Sequence, residues 1–205
     1  MEFAETQRNV SNVGLDRIDQ MNLPTDGAYT YAYTGRGVTA FVLDSGLRLS
    51  HTEFEGRATC GFDGVLGDES DIPCDDKKGH GTFVAASVGG ATVGVAKELN
   101  LVGVKIGTKE GPSGVALLAG IDYVLKQKET NKTSPMVAIM SVFGSRFQLL
   151  DDAVEALIDA NVTTVVVAGN GGFDACDYSP AAAADAITVG AILRNDSIAE
   201  WSNKG

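Results

Sequence analysis

The clearest structural signal in the chain is the stretch Val38-Thr39-Ala40-Phe41-Val42-Leu43-Asp44-Ser45-Gly46. Residues 38–43 are all apolar or β-branched, which is typical of a strand buried on both faces of a sheet. Asp44 follows at the carboxyl end of that strand, where open parallel sheets bind their ligands. Gly46 then permits a sharp exit, since glycine tolerates backbone conformations closed to other residues. We therefore expect a parallel sheet with a functional carboxylate at one edge.

Similar apolar runs alternate with helical patterns along the rest of the chain. Further strands are predicted at residues 99–106, 136–140, 162–168 and 186–191, and helices at residues 80–89, 113–127 and 148–160. The second helix has an apolar face of Val115, Leu118, Ile121 and Leu125, and the third a face of Leu149, Ala153, Ala156 and Leu157. Uninterrupted apolar strands separated by helices indicate an α/β fold, with helices on both faces of a mostly parallel sheet. Neither a repeat nor a linker divides the chain, so residues 1–205 are predicted to form a single domain.

The composition argues against several classes of function. Lys and Arg number 16 against 27 Asp and Glu, for a net charge of −11, whereas nucleic-acid binding needs a basic surface. No apolar run approaches the roughly 20 residues of a membrane span. Residues 1–19 are polar and lack the apolar core of a signal peptide. We expect a monomer that binds neither nucleic acid nor membrane.

Asp44, His80 and Asn170 are the residues best suited to chemistry. His80 lies in Gly79-His80-Gly81-Thr82 at the start of a predicted helix, and Asn170 comes just after the strand at 162–168. An aspartate that accepts a hydrogen bond from the Nδ1–H of a histidine fixes its tautomer and stabilises the imidazolium. A side-chain amide can donate to the oxyanion of a tetrahedral intermediate. Taken singly, these residues are better explained as a turn aspartate, a helix-capping histidine and a loop asparagine, but their ordered combination favours acyl-transfer catalysis.

Cys60 and Cys74 bracket an acidic stretch of the chain. A disulfide between them would staple that stretch, and two free thiols are equally compatible with the sequence. Neither they nor Cys176 form a Cys-x-x-Cys pair, so no zinc site is predicted. The acidic residues in and beside the stretch are Asp63, Asp68, Glu69, Asp71, Asp75 and Asp76. Their spacing fits no defined calcium loop, so a solvated loop is the simpler interpretation and a structural calcium ion the alternative.

A family resemblance emerges when the motifs are taken together. The matching stretches, in chain order, are residues 37–46, 50–58, 79–82, 94–96, 103–105, 168–170, 178–181, 188–191 and 202–205. Over nearly its whole length the chain resembles the subtilases, the subtilisin-like serine peptidases, and most of all their proteinase K branch. The resemblance implies a three-layer sandwich around a seven-stranded parallel sheet, endopeptidase activity, an extracellular location and, often, stabilising calcium. It also implies that Asp44 and His80 are the triad aspartate and histidine, and that Asn170 is the oxyanion donor.

The resemblance further implies two segments that flank a bound polypeptide. One contains Gly111, Ser113 and Gly114, and the other is Ser141-Val142-Phe143-Gly144. Such peptidases bind the substrate as an added β-strand between these segments, through main-chain hydrogen bonds. Phe143 stands where the family usually has glycine, on the wall of the pocket for the side chain that precedes the scissile bond. We expect Phe143 to restrict this pocket to small side chains or to block it.

The family's nucleophile has no counterpart in these 205 residues. In subtilases the serine lies in a Gly-Thr-Ser motif that opens a long helix, beyond the match to residues 202–205. Ser113 is better explained as a helix N-cap, and no other serine after His80 has a helix-start context. We interpret the chain as a serine endopeptidase that is incomplete at its C-terminus and inactive as it stands. The alternative is a pseudoprotease that binds or regulates. Nucleotide binding is not supported, because neither Gly-x-Gly-x-x-Gly after the first strand nor a P-loop lysine motif is present.

Overall fold

Strands and helices alternate along the part of the chain that the structure describes. The structure, a computed structural model, describes residues 5–65 and 72–205. The strands are β1 (Glu5–Arg8), β2 (Ala28–Tyr31), β3 (Thr39–Asp44), β4 (Ala58–Asp63), β5 (Asn100–Lys105), β6 (Gly107–Thr108), β7 (Gly111–Pro112), β8 (Met136–Met140), β9 (Gly144–Ser145), β10 (Thr163–Val167), β11 (Tyr178–Ser179) and β12 (Ile187–Val189). The helices are α1 (Val13–Ile18), α2 (His80–Gly89), α3 (Gly114–Thr130) and α4 (Gln148–Asp159), with single 3₁₀ turns at Thr52–Phe54 and Ala175–Asp177. None of the helices in these residues is long and apolar enough to cross a membrane.

Six parallel strands form the central sheet, in the order β12-β10-β8-β3-β5-β4. The described part of the chain thus contributes one strand fewer than the resemblance implied. β4 and β5 lie on one side of β3, and β8, β10 and β12 lie on the other. Because the chain leaves β3 toward one side and later returns to its other side, a crevice opens at the carboxyl end of this strand. Asp44 is the last residue of β3 and lies at that crevice.

The residues of β3 show that the sheet is covered on both faces. Phe41 and Leu43 belong to a buried cluster that includes side chains of α3 and α4. Ala40 and Val42 belong to a second cluster, which includes Ala85 of α2. Successive residues of a strand point to opposite faces, so α2 covers one face and α3 and α4 cover the other. The prediction of a three-layer α/β fold is confirmed.

The predicted strands and helices are present, but two buried helix faces differ from the prediction. Ile121 and Leu157 are buried as expected. Val115, however, is 79% exposed, and Leu149 is 55% exposed while its neighbour Leu150 is buried. Both helices carry apolar residues on more than one side, and packing against the sheet selects which side is covered. The prediction was therefore wrong by one residue at these positions.

Cys60 and Cys74 form a disulfide bond, which resolves the choice that the sequence leaves open. The bond ties β4 to the segment that leads into α2. Cys74 is fully buried, and its carbonyl oxygen accepts a hydrogen bond from the backbone amide of Leu47 at 2.7 Å. The segment before His80 is therefore held against the loop that follows Asp44. Cys176 is a free, exposed thiol.

Candidate active site

Asp44 and His80 meet at the carboxyl end of β3. His80 Nδ1 lies 2.7 Å from Asp44 Oδ1, although 36 positions separate the two residues. The carboxylate is buried, whereas the imidazole side chain is 41% exposed. An ionised carboxylate can only accept hydrogen bonds, so Nδ1 carries the proton and Nε2 keeps its lone pair. In that tautomer Nε2 can take a proton from a nucleophile.

The surroundings of the Asp44 carboxylate differ between its two oxygens. Its Oδ1 also accepts a hydrogen bond from the backbone amide of Ser45 at 2.7 Å. Its Oδ2 is buried and has no hydrogen-bond partner among the residues that the structure describes. A buried carboxylate that lacks donors on one oxygen is stabilised when a cation forms beside it. Asp44 is therefore well placed to stabilise the imidazolium of His80.

Glycines make the close approach of the two segments possible. Gly46 has φ of +122°, and a Cβ there would lie 2.5 Å from the carbonyl oxygen of Cys74. At Gly81 a Cβ would lie only 2.2 Å from the carbonyl oxygen of Gly46. Gly79, with φ of +81°, is the N-cap of α2. The glycines that flank His80 and follow Asp44 thus serve the geometry of the pair, as their positions in the motifs suggest.

Asp76 is a buried carboxylate beside this pair that the sequence analysis mentioned only as part of an acidic stretch. It accepts hydrogen bonds from Ser45, Gly79 and Thr82. Burial alone would raise the pKa of Asp76, but these hydrogen bonds, led by those from Thr82, outweigh it and hold the pKa below its usual value. Asp76 is therefore an ionised, fully engaged group at the start of α2. Its place four residues before His80 is the signal that could have singled it out.

One cleft brings together the three residues predicted to carry chemistry. Asp44, His80 and Asn170 all line a depression of about 230 Å³ at the carboxyl edge of the sheet. Asn170 follows β10 and is exposed. The cleft is also lined by Gly111, Pro112, Ser141, Val142 and Phe143. Residues from five separate segments thus converge on a single surface, as expected near the carboxyl ends of neighbouring parallel strands.

Asn203 orders the loop that carries Asn170. Its Nδ2 donates to the carbonyl oxygen of Ala168 at 2.9 Å, and its Oδ1 accepts from the amides of Gly171 and Phe173 at 3.0 Å each. Its own amide donates to Gly169 at 2.9 Å. One buried side chain therefore holds both sides of the Asn170 loop. Asn203 lies in the matching stretch 202–205, but its sequence context predicts no role for it.

The two predicted substrate segments both line two adjoining depressions. The second depression, also of about 230 Å³, includes Ser113, Gly114, Val142, Phe143 and Gly144 in its lining. β7 pairs with β6, and β9 pairs with β11. The residues 141–143 take part in no strand pairing within the described chain. Their backbone is therefore available for an added strand, although the binding role of the segments stays a prediction.

Phe143 lines both depressions. Its ring packs edge-to-face on Tyr178 with centroids 5.9 Å apart, and Tyr178 stacks on Phe173. A Cβ at Gly169 would lie 3.5 Å from Phe143 Cδ2, so the ring covers the backbone next to Asn170. The side chain remains 42% exposed. An aromatic ring thus occupies space that a glycine at residue 143 would leave open.

Several serines after His80 have hydroxyl groups that hydrogen-bond to the backbone. Ser113 is the N-cap of α3 and accepts from the amide of Ala116 at 3.3 Å, as predicted. Ser179 bonds to the backbone of Phe147. In the described part of the chain, no serine hydroxyl hydrogen-bonds to His80.

The acidic stretch offers little support for a calcium ion. Asp68, Glu69 and Asp71 lie outside the described residues. Asp63 accepts from the amides of Val65 and Cys74, and Asp76 is likewise engaged by N–H and O–H donors. Carboxylates whose oxygens face donors do not fit a cation site. Across residues 5–65 and 72–205, no group of three or more His, Cys, Asp or Glu side chains could hold a metal ion, and calcium stays a prediction.

Comparison with known proteins agrees with the geometry of the cleft. The sequence model of the subtilase family, Peptidase S8, matches residues 35–205. The chain belongs to the subtilase family. Alkaline serine exoprotease A of Vibrio alginolyticus is 42% identical to this subtilase chain over 193 residues, which are 94% of the chain and 35% of the relative. The extracellular serine proteinase of Thermus sp. (strain Rt41A) is 47% identical over 193 residues, 94% of the chain and 45% of the relative.

A solved structure is similar over almost the whole chain. The crystal structure of a cold adapted subtilisin-like serine proteinase matches with a TM-score of 0.87 at 40% identity. The match covers 96% of this subtilase chain and 70% of that protein. The chain spans less than half the length of the two curated relatives. The subtilisin-like α/β fold is therefore established, and the activity of the whole protein is a matter for proposal.

Proposed function

We propose that this subtilase chain is part of a serine endopeptidase that cleaves polypeptides through an acyl-enzyme. The observation that carries the proposal is the 2.7 Å hydrogen bond between His80 Nδ1 and Asp44 Oδ1. It presents the imidazole in the tautomer that a general base requires. The nucleophile in this proposal is a serine outside the 205 residues. Among the described residues, no serine hydroxyl hydrogen-bonds to His80.

The mechanism assigns one task to each residue of the cleft. His80 Nε2 takes the proton of the serine as its oxygen attacks the scissile carbonyl, and later returns it to the leaving amine. Asp44 orients the imidazole and stabilises its protonated form. The amide of Asn170 donates to the oxyanion, a contribution worth about 10²–10³ in kcat where it has been removed in subtilisin. Asn203 supports this step by ordering the loop of Asn170.

The substrate in this proposal is an extended polypeptide that adds a strand between residues 111–114 and 141–144. The free backbone of residues 141–143 supports it. Phe143 narrows the adjoining pocket, so substrates with a small side chain before the scissile bond are preferred. The name of the Thermus relative supports an extracellular location, and the disulfide between Cys60 and Cys74 suits an oxidising compartment.

The nucleotide sequence downstream of codon 205 gives the first test. We expect it to encode a Gly-Thr-Ser motif, and we expect the longer product to react with a fluorophosphonate probe and to cleave an unfolded polypeptide. His80→Ala in that product should abolish turnover, since removing the histidine of subtilisin alone lowers kcat by about 2 × 10⁶. A longer product that contains the serine but neither labels nor cleaves would contradict the proposal.

Substitution of Phe143 tests the substrate preference separately. In the serine-containing product, Phe143→Gly should raise kcat/KM for substrates with a large side chain before the scissile bond by at least about tenfold, the effect of relieving a clash of one or two methylenes. Substrates with alanine at that position serve as the control and should change little. Equal effects on both substrates would show that Phe143 does not line the specificity pocket.

A pseudoprotease is the second candidate, and two observations favour it. Phe143 partly fills the cleft, and no hydroxyl of the described residues is bound to His80. A pseudoprotease would bind an extended peptide without cleaving it. Serine-specific labelling of the 205-residue protein by the fluorophosphonate probe would exclude this candidate.

A further inference from the structure

Asp76 lies beside the Asp44–His80 pair without hydrogen-bonding to either side chain. We propose that Asp76 is a positioning residue, whose carboxylate ties the loop carrying Asp44 to the start of the helix carrying His80 and thereby sets the separation of the pair. The catalytic meaning of that separation rests on the proposed function. The contacts that set it can be tested whether or not the chain catalyses a reaction.

Both oxygens of the Asp76 carboxylate are occupied, and its side chain is buried. Oδ1 accepts from the Ser45 hydroxyl and from the amide of Gly79, each at 2.8 Å. Oδ2 accepts from the amide of Thr82 at 2.8 Å and from its hydroxyl at 2.6 Å. Ser45 belongs to the loop after β3, whereas Gly79 and Thr82 belong to the first turn of α2. One carboxylate therefore joins two segments through four hydrogen bonds.

These bonds complete a ring around the pair. Ser45 Oγ accepts from the amide of Gly81 at 3.0 Å, while the amide of Ser45 donates to Asp44 Oδ1 at 2.7 Å. Asp44 Oδ1 in turn accepts from His80 Nδ1. A rotation or translation of α2 relative to β3 would break several of these bonds together. The hydrogen bonds of Asp76, together with the rest of this ring, therefore fix the distance between Asp44 and His80.

A negative charge suits the position of Asp76. The N-cap of α2 is Gly79, which has no side chain to satisfy the first amides of the helix. The carboxylate of Asp76, three residues before Gly79, accepts from the amides of Gly79 and Thr82 and so takes the place of an N-cap side chain. The helix dipole also favours an anion at this end of α2. An asparagine in its place would turn an NH₂ group toward two of the four donors and lose those bonds. Asp76→Asn is thus a small change in shape with a large change in bonding.

The chain contains two histidines, which makes a direct test possible. His51 Nδ1 accepts from the amide of Glu53 at 3.2 Å, so His51 is protonated on Nε2, the opposite tautomer to His80. Long-range ¹H–¹⁵N spectra of the labelled 205-residue protein distinguish the two rings and detect the Hδ1 proton of His80. We expect Asp76→Asn to move this resonance and to speed its exchange with solvent at least about tenfold, which is the factor for losing just one of the two hydrogen bonds to the charged group. The signals of His51 should not move.

Asp16→Asn is the matched control. Asp16 is also a buried carboxylate, and it accepts from the amides of Asp26 and Gly27 at 3.0 and 2.9 Å. It belongs to α1, which contributes no residue to the cleft. This variant should lower the unfolding temperature and leave the Hδ1 resonance of His80 unchanged. If Asp76→Asn also lowers only the unfolding temperature and leaves Hδ1 as in the parent protein, Asp76 is merely structural and the proposal is overturned.

Ser45→Ala decides the matter if Asp76→Asn does not fold. It removes the hydroxyl from the ring but leaves the bonds of Asp76 to Gly79 and Thr82 in place. We expect exchange of the His80 Hδ1 proton to become at least about tenfold faster, because the variant loses one hydrogen bond to the charged Asp76 and one from the amide of Gly81. Unchanged exchange would overturn the proposal. None of these measurements needs a nucleophile, so their failure is distinct from failure of the proposed peptidase activity.

Discussion

Adding one methyl group at Gly81 should separate the Asp44–His80 pair. A Cβ at residue 81 would lie 2.2 Å from the carbonyl oxygen of Gly46 and 3.1 Å from the Cβ of Asp44. Carbon–oxygen contacts in proteins are about 3.3 Å at their closest common distance, so α2 must retreat by about 1 Å in Gly81→Ala. The 2.7 Å bond from His80 to Asp44 would then approach about 3.7 Å, beyond the range of a hydrogen bond.

The expected cost follows from the same overlap. Overpacking by one methyl group typically destabilises a protein by about 1–3 kcal/mol. For a chain of this length that corresponds to a fall in Tm of about 2–12 °C, at roughly 2–4 °C per kcal/mol. Thermal unfolding followed by circular dichroism measures the loss, and the His80 Hδ1 resonance reports the broken bond. In a serine-containing product, a displacement of about 1 Å should lower kcat roughly 100-fold.

Gly114→Ala is the control for this substitution. Gly114 is the first residue of α3, and a Cβ there would meet nothing within 4 Å. Alanine is a better helix former than glycine, so this variant should be at least as stable as the parent protein. If the free energy of unfolding of Gly81→Ala lies within about 0.5 kcal/mol of the parent's, the range of neutral surface changes, and the Hδ1 resonance of His80 persists, the close contact at Gly81 does not control the separation of the pair.

Three further predictions concern stability. Replacing Cys60 and Cys74 by serine should lower the free energy of unfolding by about 3 kcal/mol, because the disulfide closes a loop with a sequence separation of 14. Urea unfolding measures this loss, and reductant should lower the free energy of unfolding of the parent protein to that of the variant. A loss below about 1 kcal/mol would speak against a structural role for the disulfide. Leu157→Ala should cost about 2–5 kcal/mol in the same assay because Leu157 is fully buried, whereas Leu149→Ala, at a residue 55% exposed, should stay within about 0.5 kcal/mol. Burial acts to raise the pKa of Asp76, but hydrogen bonds hold this pKa below its usual value in the folded protein. The contribution of Asp76 to the free energy of unfolding is therefore fully present above the unfolded pKa of about 3.9, and it is lost as pH falls through the lower folded pKa. In Asp76→Asn the free energy of unfolding should therefore fall less steeply as the pH is lowered below about 4. The same pH dependence in the variant and the parent protein would contradict this prediction.

The candidate site residues that could be predicted from the sequence are those whose immediate neighbours in the chain indicate their position in the fold. Asp44 was recognisable because it ends an apolar strand, and His80 because glycines flank it at a helix start. The carboxyl ends of parallel strands share one edge, so a strand pattern was enough to place Asn170 in the same cleft. Asp76 and Asn203 were missed as site residues, since they act through hydrogen bonds to side chains and carbonyls 31 and 35 positions away. No local pattern identifies the carbonyl that Asn203 binds, whereas Asp76 also binds Gly79 and Thr82 nearby and had one local signal, its place four residues before His80.

The alternation of apolar strands and helices is sufficient to predict a covered parallel sheet, because buried strands must be apolar on both faces. Tertiary structure decided the choices that depend on which atoms come within a few ångströms of one another. It selected the bonded state of Cys60 and Cys74, and it placed the ring of Phe143 over Gly169. It also chose which side of α4 to bury, since a helix with apolar residues on several sides has no preferred face until it meets the sheet. Packing and hydrogen bonding act over such short distances that only the folded arrangement selects among alternatives equally allowed by the sequence.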